Sequence, residues 1–195
     1  LSASGLLFFA ALFGWQLVAD FRYDWLLSQK DTRLVAREWI SENVAGGSKM
    51  IIDAQYLRLT NTKEGIRELE AIDPSGLRAA DSTLLSLPDG RYPAPAFHVL
   101  NLNFVSPEVR KTINITPNSL RAEGFKYAVI EYPSRESIKG DMLKIAKGSR
   151  LVVHFSPWKV PHERSFDGSG KILRLSIRDL FQLERIGYFV DIYEL

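Results

Sequence analysis

Apolar residues are distributed along this chain in two ways. From Leu1 to Ala19, in LSASGLLFFAALFGWQLVA, they run without a charge and without a polar face, whereas beyond Lys30 they recur in short periodic bursts. A helix over the first stretch rises about 28 Å at 1.5 Å per residue, close to the ~30 Å hydrocarbon core of a bilayer, which predicts a membrane span. The next residues, DFRYDWLL, mix charges with Phe21, Tyr23 and Trp25, and the last two suit the headgroup region. A secretory signal peptide would open on methionine and a basic region; the chain opens on Leu1 with neither, which reads as the tail of something longer. Residues 1–28 are therefore expected to form a transmembrane and interfacial helix, and residues 29–195 a soluble domain.

The bursts in the soluble part alternate between two periods. Val35, Ala36, Trp39, Ile40 and Val44 recur at three and four and predict a helix over 31–45, capped by Asp31 or Thr32 and stopped by Gly46-Gly47. Lys49-Met50-Ile51-Ile52-Asp53 is short, apolar and β-branched, as a buried strand requires. Further strands are expected at 97–105, 127–131, 151–155 and over the closing YFVDIYEL, with helices at 62–72, 117–122, 135–147 and 176–185. Residues 73–97, broken by Pro88-Asp89-Gly90 and Pro93-Ala94-Pro95, predict no element. Strand alternating with helix predicts an α/β class fold: a single transmembrane helix followed by a Rossmann-like three-layer domain with a mostly parallel sheet of about five strands.

Composition narrows the chemistry. In 195 residues, 46% hydrophobic and 25% charged, there is a core to fold around, and a net charge of +2 without basic blocks disfavours nucleic acid as the partner. The absence of cysteine excludes disulfides, thiolate metal sites and a cysteine nucleophile. Nothing in the chain calls for a cofactor or a metal.

Several blocks carry a family likeness. The stretch YDWLLSQKDTRLVAREWISENVAGGSKMIID, with Asp31-Thr32-Arg33, Trp39-Ile40, Asn43 and the strand Met50-Ile51-Ile52, resembles the junction between the last membrane helix and the C-terminal soluble domain of GT-C superfamily membrane glycosyltransferases. The nearest kind is glycosyltransferase family 39, the dolichyl-phosphate-mannose mannosyltransferase-like proteins. EGFKYAVIEYPS and IGYFVDIYEL resemble two later blocks of that domain, although Gly187-Tyr188 stands where the family has Gly-Pro and Ala45-Gly46-Gly47 where it usually has proline. The resemblance implies that a polytopic membrane domain upstream binds a polyprenyl-phosphate-linked sugar and carries the catalytic acid. It follows that no catalytic residue maps onto this chain. The resemblance also places the soluble part on the outer side of the cytoplasmic membrane, periplasmic or cell-surface. Its partners would be the bilayer, the upstream transmembrane domain, and the polyprenyl-phosphate sugar donor or a glycan or protein acceptor.

Read by themselves, a few residues are chemistry candidates. Asp53 and Glu131 each end an apolar strand, where open parallel sheets border a ligand crevice, so together they form a carboxylate pair for a cation, a sugar hydroxyl or acid/base work. The polar loop from Pro157 to Lys171 holds Trp158, Lys159 and Arg164, an aromatic beside cations that suits stacking on a sugar and pairing with a phosphate or acceptor. His98, His154 and His162 have no metal spacing, even with Asp167 nearby; His154 is expected as a satisfied sheet-face histidine and His162 as solvated. Gly46-Gly47-Ser48-Lys49 and Gly168-Ser169-Gly170-Lys171 lack the order of a phosphate loop. Asn114-Ile115-Thr116 is a sequon. The leading expectation is an accessory domain of a membrane glycosyltransferase, not catalytic by itself. The alternatives are a single-span anchored α/β binding or interaction module without activity, and a small tethered hydrolase using Asp53 and Glu131.

Overall fold

The computed structural model describes the backbone of residues 3–159 and 176–195, and within these the side chains of all but residues 3–12 and 177. The chain opens with a long helix, α1 (Ala3–Ser28), and turns at once into α2 (Thr32–Asn43). Then follow β1 (Lys49–Asp53), α3 (Lys63–Ile72), α4 (Ala79–Ser86), β2 (His98–Asn101) and the short helices α5 (Pro107–Arg110) and α6 (Pro117–Ala122). The chain closes through β3 (Tyr127–Tyr132), α7 (Gly140–Gly148), β4 (Arg150–Phe155), α8 (Ile177–Gln182) and β5 (Phe189–Glu194). The starts of these helices have local causes. Asp31, Thr62, Thr116 and Ser176 each accept a backbone N–H of the first turn, and Pro117 supplies a pre-set φ at the start of α6.

All five expected strands join one sheet in the order β2-β1-β3-β5-β4. The parallel arrangement holds for β2, β1 and β3, with Ile51 beside Leu100 on one side and Ala128 on the other. It fails at β5, which runs antiparallel to both of its neighbours, β3 and β4. The sheet is therefore mixed, parallel over β2-β1-β3 as expected and antiparallel around β5. β2 is also shorter than expected: Asn101 ends it by accepting Asn103 N–H at 3.0 Å and donating to Ala54 O at 3.1 Å, which diverts the chain into a turn.

Helices cover both faces. On one, Ala36 and Ile40 of α2 and Val44 just past its end pack on Met50, Ile52, Val99, Val129, Val190 and Ile192. On the other, Leu120, Met142, Ile145, Leu180 and Leu183 pack on Ile51, Leu100, Ala128, Ile130, Phe189 and Tyr193. The end of α1 belongs to this second cluster. Leu26 is 1% exposed, Ala19 and Tyr23 pack beside it, and Arg22 donates to the carbonyls of Leu180 (3.4 Å) and Leu183. Tyr23 is thus partly buried against this cluster. Among the described residues no helix is long and apolar enough to cross a membrane, so the expected transmembrane helix is not found there; from Phe13 onward Asp20, Arg22 and Asp24 interrupt the apolar run. The side chains of residues 1–12, on which much of that expectation rests, lie outside the described residues.

Candidate functional site

The site grows from the tripeptide that starts α2. Asp31 accepts Arg33 N–H at 2.7 Å, and its carboxylate also receives the Arg33 Nε at 2.9 and 3.0 Å, so cap and guanidinium are fixed by one side chain. This holds Arg33 over the carboxyl end of β3, with Nη1 3.7 Å from Glu131 Oε1. Thr32, between them, locks the turn to the distant approach of β5. Its N–H donates to Ile186 O at 3.0 Å and its hydroxyl to Tyr188 O at 2.5 Å. Gly187 makes room for this contact: its φ is +128°, and a Cβ there would lie 2.2 Å from Thr32 Oγ1. Three segments far apart in sequence, 31–33, 131 and 186–188, therefore meet at one point.

Glu131 is the unusual member. Its side chain is 4% exposed, yet neither carboxylate oxygen completes a hydrogen bond. Burial is the largest influence and pushes its pKa up; Arg33 and the nearby Tyr56 and Gln55 backbone amides pull it down without overcoming burial, and Asp31 adds to the rise. The Arg33 guanidinium is held in its charged form chiefly by the hydrogen bond to Asp31.

Above this pair lies an open cavity of about 350 Å³, lined by Asp31, Arg33, Leu34, Arg37, Tyr56 and Arg58. Leu34 and Arg37 are on the exposed side of α2, whereas Arg33, three residues before the buried Ala36 and seven before Ile40, stands at the border of the core-facing side and is half-buried. The loop after β1 supplies Tyr56, 54% exposed, and Arg58; the Arg33 guanidinium carbon lies 5.2 Å from the Tyr56 ring centroid. Arg37 and Arg58 are exposed, and among the described residues no carboxylate pairs with either. The cavity opens at the carboxyl ends of β1 and β3, where α/β sheets commonly hold ligands.

The other candidates fall elsewhere. Asp53 and Glu131 do not form a pair: Asp53 is in register with Ile130, so strand alternation puts the two carboxylates on opposite faces of the sheet. Asp53 instead accepts from Asn103 at 3.1 Å and Arg110 at 3.3 Å in a closed turn. Trp158 is 4% exposed and lies in the core, bridged backbone to backbone with Leu183, which removes it as a stacking platform. Lys159 is exposed and donates its N–H to Gln182 O at 3.0 Å; Arg164, His162 and Asp167 lie outside the described residues. His98 meets Glu68 at 2.6 Å beside Lys49. His154 is satisfied as expected, with Nδ1 2.5 Å from Asp191 Oδ1, and Asp191 also accepts the Tyr132 and Tyr193 hydroxyls at 2.9 Å each. Among the described residues no three His, Cys, Asp or Glu side chains could hold a metal ion together. Sequence reasoning singled out Glu131 but missed Arg37, Tyr56 and Arg58; the one local signal was Arg33 and Arg37 at i, i+4 in the first turns of a capped helix. No family model, curated protein or solved structure matches the chain.

Proposed function

We propose that the chain is the C-terminal, membrane-adjoining domain of a polytopic glycosyltransferase of the GT-C type, which moves a sugar from a polyprenyl-phosphate donor to an envelope acceptor. In this reading the chain is an accessory domain and the catalytic acid lies in the membrane part. The observation that carries it is the convergence of the three resembling blocks: Asp31-Thr32-Arg33, Glu131 of YAVIEY and Gly187-Tyr188 close on one another beneath the cavity. A second support is α1, whose outer surface shows Phe13, Trp15, Leu17 and Phe21, the last 72% exposed, a face that water disfavours and that membrane or neighbouring helices would cover. The parallel β2-β1-β3 half is the part of the sheet on which a Rossmann-like description rests. The domain would then sit on the outer face of the cytoplasmic membrane.

The test is to express the intact reading frame, with and without residues 29–195, and to assay transfer from a polyprenyl-phosphate sugar. The reading predicts several further hydrophobic spans upstream, turnover by the intact protein and none by residues 1–195 alone. A frame without upstream spans overturns it and favours the anchored binding module, for which the cationic, exposed Arg37 and Arg58 already speak.

A further inference from the structure

We propose that the cavity between α2 and the loop after β1 is a binding site for a dianionic phosphoryl group, with Arg37 and Arg58 as its primary contacts and Arg33 behind them. This goes beyond the transferase reading and does not depend on it. The charge of the lining selects the ligand: Arg33, Arg37 and Arg58 against Asp31 leave two positive charges, and among the described residues only Arg33 has carboxylate partners. A phosphomonoester matches that surplus better than a single carboxylate, and two guanidinium forks match its oxygens bidentately. Lysine would supply the charge without the fork.

The rest of the site agrees. Among the described residues Glu131 is the one further acid near Arg33; buried without a completed hydrogen bond, it stays neutral more readily than an ordinary carboxyl and cancels less of the positive field. The groups facing it are Arg33 and Asp31 from the start of α2 and the Gln55 and Tyr56 backbone amides from the loop after β1. The cavity is also larger than a bare phosphate needs, and the walls left over are the Tyr56 ring and Leu34, both exposed. These suit a phosphoryl group arriving on an organic carrier, whether a sugar or the glycerol of a lipid headgroup.

The test is calorimetric titration of the full 195-residue chain, in a nonionic detergent at low salt, with a hexose-1-phosphate and with a short-chain phosphatidic acid. The free hexose and the matching phosphatidylcholine serve as controls. Binding of either phosphomonoester and of neither control is expected, and the tighter of the two identifies the carrier. Arg37→Ala with Arg58→Ala should weaken binding at least tenfold at unchanged circular dichroism, because both side chains are exposed; Arg37→Lys with Arg58→Lys should fall between. Glu131→Gln should tighten binding about twofold to fivefold, by removing residual negative charge behind Arg33. No binding of either phosphomonoester, equal binding of the controls, or wild-type affinity in the double alanine variant would each overturn the proposal.

Discussion

Asp191 and Glu131 are buried to the same degree, 4% of each side chain remaining exposed, on adjacent strands and opposite faces of one sheet. Asp191 accepts from two tyrosine hydroxyls and meets a histidine ring; Glu131 completes no hydrogen bond and faces the Arg33 guanidinium at 3.7 Å and the Gln55 and Tyr56 backbone amides. The first arrangement is that of a structural carboxylate. Burial of the rings, and after it the Asp191 charge, push both tyrosine hydroxyls well above their ordinary pKa. The second costs free energy in the resting protein, which is the usual mark of a group held for something besides stability. Face by face, then, one side of the sheet is finished and the other is left open beneath a cavity.

The largest expected effect breaks the finished side. Asp191→Ala strands two buried hydroxyls and should destabilise the domain by about 3–5 kcal/mol, read as a lower urea midpoint at unchanged slope. A loss below about 1 kcal/mol would mean that the network contributes no more than a surface contact.

Next is the joint under the open side. Gly187→Ala drives a methyl group into Thr32 Oγ1 at a φ that L-residues avoid, and should cost about 2–3 kcal/mol. Chemical shifts of Arg33 and Glu131 should move while those of Tyr132 and Tyr193 stay; the reverse would uncouple the turn from the site.

Glu131→Gln tests the contrast most sharply because its sign is opposite. A carboxyl whose folded pKa lies above its ordinary 4.5 binds more protons folded than unfolded, so it lowers stability progressively as pH rises through that window. The glutamine variant should therefore melt at or above wild type at pH 8 and match it at pH 4. A lower melting temperature at pH 8 would show that the ion pair with Arg33 outweighs burial.

The smallest effect concerns a third carboxylate, satisfied like Asp191. Asp73 accepts from the Ser75 hydroxyl at 2.5 Å and from the Ser75 and Ser106 N–H groups at 3.0 and 2.6 Å, and these bonds, the Ser75 hydroxyl's foremost, hold its pKa down to about 2. Its contribution is full above the ordinary value of 3.8 and is lost as pH falls from there toward about 2. Asp73→Asn should flatten that acid limb of the melting curve, lowering the melting temperature modestly at neutral pH and leaving it nearly unmoved near pH 2.

Legibility in the sequence followed the range of the interactions involved. KMIID and YAVIEY were readable as strands because apolar β-branched runs need only their own residues, and the helix from Thr32 was readable because its cap and stripe are local. The direction of β5 was not, since periodicity has no sign and only pairing with β3 and β4 sets it. α4 escaped notice for lack of an apolar stripe; its start rests on Asp81, which takes the Arg78 N–H at 3.2 Å and its guanidinium at 2.7 and 2.8 Å. Trp158 beside prolines and cations looks exposed, and its burial depends on Leu183, far along the chain. For Glu131 the residue type and strand end were visible, but its true neighbour, Arg33, lies 98 positions away, and Asp53 could be excluded only once its register with Ile130 was known.

The anchoring of α1 has a mechanical meaning. Its 26 residues form a rod of about 39 Å, and its final turns are clamped by Leu26 in the core and by Arg22 on the carbonyls of Leu180 and Leu183. Four residues after its end, Thr32 is fastened to Ile186 and Tyr188, so no slack separates rod from domain. Such a rod works as a lever and not as a tether. Tilting its far end applies torque directly to α8 and, through Leu183, to the Trp158 bridge, so whatever grips the distal turns also sets the heading of the arginine-lined cavity.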